Sequence, residues 1–123
     1  MERATKIIVI ARAVHEAIRA YQAALGEEEA PPFSEAGWMR DGTVEAVEFA
    51  LRNPTPGAQH EAWVASRLRE GWVHGPKKSA ADKTHPSLVP FDHLSLDEQR
   101  KDTILIAVVQ SLSKALEVPS AAR

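Results

Sequence analysis

Proline and glycine cut this chain into four helix-length segments and leave almost nothing strand-length between them. The first segment carries Ile7, Ile10, Val14, Ile18, Tyr21 and Leu25 at spacings of three and four, the stripe of a helix facing a core. Gly26 stands where a left-handed cap would stop it. "GEEEAPP" then makes a polar turn, and "EAGWMRDGTVEAVEFALRN" brings Trp38, Val44, Val47 and Leu51 to near-helical spacing before Asn53-Pro54 ends it. Thr55 suits a third N-cap and Pro56 the first helical position, where its missing N–H is no loss. Val64 and Leu68 are expected to face inward, with His60, Trp63, Arg67 and Glu70 together on the adjacent face, and Gly71 closes the helix. The fourth helix is announced by "SLDE", a capping box in which Ser95 caps and Glu98 reaches back. Leu105, Val108, Val109, Leu112 and Leu116 form its buried side, and the chain from Pro119 onward should fray. Between the last two helices, the extended runs Trp72 to His74 and Leu88 to Phe91 are expected to pair. The prediction is a mainly α fold: a compact bundle of about four helices with a short two-stranded β ribbon in the loop between the last two.

Length and charge exclude several classes. A chain of 123 residues suffices for one domain with a core of its own, and 44% apolar with 26% charged residues argues against disorder. A net charge of −2 with only very short like-signed runs gives no sign of a DNA or RNA partner. No cysteine is present, which removes disulfides, zinc ribbons and thiol nucleophiles. The run "IIVIA" is too short to span a bilayer, and "RAVHEAIR" after it lacks a cleavage pattern, so a cytoplasmic protein with an intact N-terminus and no membrane contact is expected.

No motif of a known reactive centre stands in the sequence. His-Glu occurs twice, in "HEAIR" and "HEAWV", but a zinc protease needs a second histidine four residues on, and those positions hold Arg19 and Val64. There is no glycine-rich phosphate loop and no nucleophile elbow. Neither a metal nor a cofactor is expected. His60, Glu61 or His85 would suit general acid–base work, yet no activated nucleophile accompanies them, and a non-enzymatic role is the expectation.

Two stretches invite a binding reading. In "DKTHPSLVPFDHL" the His-Pro and Val-Pro steps hold the backbone extended, so Lys83 and His85 project from a stiffened loop. In "HEAWVASRLREGWVHGP", Trp63 has polar neighbours His60 and Arg67, whereas Trp72, just past the closing glycine, reads as a core anchor under the His-Pro loop. His15, Arg19 and Gln22 line up at the edge of the first helix's stripe and on pattern alone read as a solvated flank.

Taken together, "HEAWVASRLREGWVHGPKK", "DKTHPSLVPFDHL" and "EQRKD" resemble the RyR domain, the repeat named after the ryanodine receptor. The resemblance is carried by His60, Trp63, Arg67, Gly71-Trp72, Gly75, Lys83, His85-Pro86, Val89-Pro90, Leu94 and Asp102, over roughly residues 58 to 116. His74 departs from it, standing where the channel repeats usually carry an aromatic residue. The resemblance implies a single domain over residues 1–123, with a helical extension at 1–54 and the repeat at 55–118. Because repeats pair in the channels, it also implies a homodimer here. Calcium is not implied by the residues, since no loop gathers six or more oxygen ligands.

For function, the resemblance implies binding of an adenine-nucleotide-like or ADP-ribose-derived signal. Trp63 is the stacking residue, Arg67 a phosphate contact, Lys83 and His85 further anion contacts beside His60, and His15, Arg19 and Tyr21 second walls. The role expected is sensor or sponge, with phage-defence or counter-defence signalling as its setting, and a lone repeat with no effector attached points to the sponge. The alternative is a structural or protein-interaction domain using the same Trp and Arg surface.

Overall fold

The computed structural model describes residues 1–119. Helix α1 spans Arg3–Leu25, and Gly26 ends it at φ 75°, sending its N–H back to the carbonyls of Ala23 and Gln22. A single 3-10 turn, Phe33–Glu35, leads into α2, Trp38–Ala50. Helix α3, Pro56–Arg69, begins as its sequence predicts: the Thr55 hydroxyl accepts from the Ala58 N–H at 3.1 Å, with proline next in line. Helix α4, Leu96–Ala115, starts from the Ser95 hydroxyl, which accepts from the Glu98 N–H. The return half of that capping box is missing, because the Glu98 carboxylate is drawn to Lys101 at 2.9 Å. The fraying predicted beyond Pro119 lies outside the described residues.

Helix α1 packs mainly on α4 and α2, and α3 closes the bundle against α4 and α2. One core runs through them: Ile7, Ile10 and Val14 from α1, Phe33 from the 3-10 turn, Val47 and Leu51 from the second segment, and Val109 and Val118 from the last. Each such buried side chain contributes about 1.5–3 kcal/mol relative to exposure. The first two helices thus share their interior with the C-terminal one. Among the described residues no helix is long and apolar enough to cross a membrane.

The ribbon forms, but with a different second strand. Strand β1, Val73–His74, runs parallel to β2, Thr84–His85, with Val73 opposite Thr84 and His74 opposite His85. Leu88 to Phe91 is not available for pairing: the Val89 carbonyl takes the His60 ring, the Phe91 N–H goes to Glu61, and Phe91 begins a second 3-10 turn. The ribbon depends on Gly75, where a Cβ would lie 2.8 Å from the Thr84 Cβ.

Two faces are inverted relative to their polarity. On α3, Leu68 is 55% exposed, while Gln59, His60, Ser66 and Arg67 are buried. Three of them bond to distant groups: the Gln59 amide N–H donates to Ala46 O, the His60 ring to Val89 O and the Ser66 hydroxyl to Glu45. On α1, His15 and Gln22 are buried instead of forming a solvated flank. With Arg19 they tie down the turn before Phe33–Glu35: His15 Nε2 donates to Pro31 O, Arg19 Nε to Ala30 O, and Gln22 Oε1 accepts from Ala30 N–H. Two prolines leave that turn poor in donors of its own, so the helix supplies them.

Candidate ligand-binding cleft

Between the 27–31 turn, the ribbon loop and the facing sides of α3 and α4 lies a cleft of two adjoining compartments. The larger, about 460 Å³, is bounded by Trp38 and Trp72 at one end and by Glu27 to Glu29 along its rim. The smaller, about 220 Å³, is bounded by His60, Trp63 and Asp102. Lys78, His85 and Glu98 border both and mark where they meet. Volumes of this order suit a small molecule.

Trp63, on α3, is half-buried, its ring 5.6 Å from His60 and 5.0 Å edge-on from His85. Arg67, one turn on, does not reach the cleft. It is 7% exposed, with its guanidinium carbon 5.3 Å from the Trp38 ring and 6.0 Å from that of Trp72. Its one hydrogen bond runs to the Ser66 hydroxyl at 3.2 Å, and its Nε has no partner among the described residues. Trp63 and Arg67 meet only across a cavity of about 30 Å³ under α2, room for about a single water. Arg67 thus holds the Trp38–Trp72 pair, whose rings lie 4.9 Å apart, by cation–π contact. Trp72 is the anchor its position predicts, 6% exposed, and it also forms one cleft wall. Trp38, 42% exposed, is the other.

The remaining predicted site residues fall into two groups. His60 and His85 line the smaller compartment. Lys83, exposed and at φ 55°, instead donates to the Glu70 carbonyl at 2.7 Å and so ties the end of α3 to the ribbon. His15 and Arg19 act at one remove, since Ala30 and Pro31, which they fix, form part of the larger compartment's wall. Tyr21 borders neither compartment, and its buried hydroxyl has no partner among the described residues.

The electrostatics are set on α4. Glu98, Lys101 and Asp102 lie at spacings of three and four and share a face. Lys101 donates to both Glu27 and Glu98 at 2.9 Å, bonds that outweigh its burial and raise its pKa. Burial, and then the nearby Glu98 charge, push the Asp102 carboxyl up to about 7. Burial, and then the charges of Lys78 and Lys101, hold His85 down at about 4. His85 is therefore neutral near pH 7, with Nδ1 accepting from the Ser87 N–H at 3.0 Å and Nε2 carrying the proton. Trp38, Lys78, Lys101 and Asp102 were not singled out as ligand contacts from sequence. Only the face shared by Lys101 and Asp102 with Glu98 was there to be read.

No group of three or more His, Asp or Glu side chains is placed to hold a metal ion among the described residues. The family model described as RyR domain matches residues 49–117. No curated protein matches the chain.

Proposed function

For this chain, which belongs to the RyR domain family, we propose a non-enzymatic role: binding a nucleotide-like small molecule, adenine-nucleotide-like or ADP-ribose-derived, in the cleft between α3, α4 and the ribbon loop. The observation that carries this reading is a half-buried indole, Trp63, at one end of a two-compartment cleft, with Lys78 and His85 at the junction and the Trp38–Trp72 pair of indoles at the other end. A flat base packs against Trp63, where base–indole stacking is worth about 1–3 kcal/mol. The phosphate lies by Lys78, and sugar hydroxyls donate to the rim carboxylates. Arg67 supports the aromatic walls in this arrangement and does not contact phosphate. The ligand is sensed or sequestered in a signalling setting such as phage defence or counter-defence, in the cytoplasm, by a homodimer that supplies the paired arrangement of the channel repeats.

A thermal-shift panel of mono-, di- and cyclic nucleotides, ADP-ribose forms and unrelated anions tests it. A ligand at a hundredfold its Kd adds about 2.7 kcal/mol of stability. Trp63→Ala should remove that gain with the fold kept. A panel in which no nucleotide stabilises the protein, or a gain that survives Trp63→Ala, refutes the reading and favours a protein-interaction role for the exposed Trp38, Leu68 and Val73.

A further inference from the structure

His60 and Asp102 both line the smaller compartment. The Nε2 of His60 lies 2.8 Å from the Val89 carbonyl, which can only accept, so Nε2 carries the ring proton. In the neutral ring Nδ1 is then a bare lone pair, and it lies 3.9 Å from the Asp102 Oδ2. That is beyond a hydrogen bond, and neither atom has another partner among the described residues. Both are well enclosed, with the His60 side chain 5% and the Asp102 side chain 15% exposed. The nearest cation on α4, Lys101, is held by Glu27 and Glu98. With His60 neutral and Asp102 ionised, as it is above its pKa of about 7, the pair presents two acceptors that have no hydrogen-bonded partner among the described residues.

We propose that this pair reads an exocyclic amino group on a heteroaromatic ring, the amino nitrogen donating one N–H to His60 Nδ1 and the other to Asp102 Oδ2, and that it rejects an oxo group in the same place. The inference rests on the cleft taking a flat base, and goes beyond it by naming the edge that is read, aminopyrimidines included. A nitrogen about 2.9 Å from each acceptor spans their separation, and its ring then lies beside Trp63, whose indole is already 5.6 Å from His60. A carbonyl oxygen there would meet two lone pairs and leave two enclosed acceptors unsatisfied. Loss of partners of that kind corresponds to on the order of 10- to 100-fold in affinity. On the opposite side the Nε2–H of His85 offers a donor to a ring nitrogen or sugar oxygen.

Titration calorimetry near pH 8 with AMP against IMP and CMP against UMP tests this, each pair exchanging one amino for one oxo group. The amino member should bind at least tenfold tighter in both pairs. Asp102→Asn, which puts an amide N–H2 within reach of an oxo group, should narrow or invert the ratio. Equal affinities within each pair, or a ratio unchanged in Asp102→Asn, overturn the assignment while the cleft reading stands. Absence of binding by all four at millimolar concentration overturns both.

Discussion

Replacing Asp102 and His85 one at a time should tilt the pH dependence of folding in opposite directions. Asp102 is raised from 3.8 to about 7 by burial and Glu98. Between those values the folded protein holds a proton that the unfolded chain has released, so its contribution is present below about pH 4 and is lost as pH rises towards 7. His85 is lowered from 6.5 to about 4 by burial, Lys78, Lys101 and His60. Between those values the unfolded chain holds the extra proton, so its contribution is present above about pH 6.5 and is lost as pH falls towards 4. The windows overlap and the two slopes, each at most about 1.4 kcal/mol per pH unit, offset each other in the native protein. Asp102→Asn leaves the His85 slope alone. His85→Asn, whose amide oxygen keeps an acceptor for the Ser87 N–H, leaves the Asp102 slope alone. Urea unfolding between about pH 4.5 and 6 should therefore show Asp102→Asn gaining on the native protein by about 1–2 kcal/mol as pH rises, and His85→Asn losing a similar amount. Other titrating groups, such as Glu16 and Glu48, both lowered by hydrogen bonds, are common to all three proteins and cancel in the differences. Two difference curves flat across that range would refute the argument, because they would mean that neither group is desolvated on folding.

Gly75→Ala drives a methyl group into Thr84 and should cost about 1–3 kcal/mol in denaturant unfolding, whereas Ala at the open Gly42 position, 3.8 Å from an Arg67 nitrogen, should be neutral or stabilising by a few tenths to about 1 kcal/mol. Arg19→Ala removes the Nε bond to Ala30 and the ion pair to Glu16, so a glutamate-specific protease should cut within Glu27 to Glu29 several-fold faster while global stability falls by no more than about 2 kcal/mol. Arg67→Lys substitutes a point charge for a plane stacked on two indoles and should cost about 1 kcal/mol, with a red shift of tryptophan emission as its optical signature. Sedimentation at high protein concentration should show a dimer, and a monomer throughout would count against the analogy with paired repeats.

The helices were legible in the sequence because their ends are decided locally. Thr55, Ser95 and Gly26 each close a hydrogen bond within a few residues, and nothing distant competes for them. The ribbon's second strand was not legible, because its backbone partner is chosen by what the rest of the loop does. Leu88 to Phe91 has the composition of a strand, yet its carbonyls and N–H groups are taken by His60, Glu61 and Gln99 from two helices. Thr84–His85 pairs in its place because only a glycine at 75 lets the two backbones approach.

The same reason explains why the cleft was only half visible. Polarity read along a helix says which side chains need a partner, but not whether water or protein supplies it. On α3 protein supplies most of it: Ala46 O takes the Gln59 amide N–H, Val89 O the His60 ring and the two indoles the Arg67 guanidinium, while Gln59 Oε1 and Arg67 Nε have no partner among the described residues and Leu68 is left outside. Arg67 therefore left the predicted ligand surface to become the support beneath Trp38 and Trp72. On α4 Lys101 is claimed by Glu27 and Glu98, the former 74 residues away in sequence, and is not paired with Asp102. A carboxyl without a paired cation, enclosed beside a histidine, keeps its proton up to about pH 7 and is costly to ionise in the fold. Ionised, it is matched by a donor that arrives from outside the chain, as the proposed reading of an amino group requires.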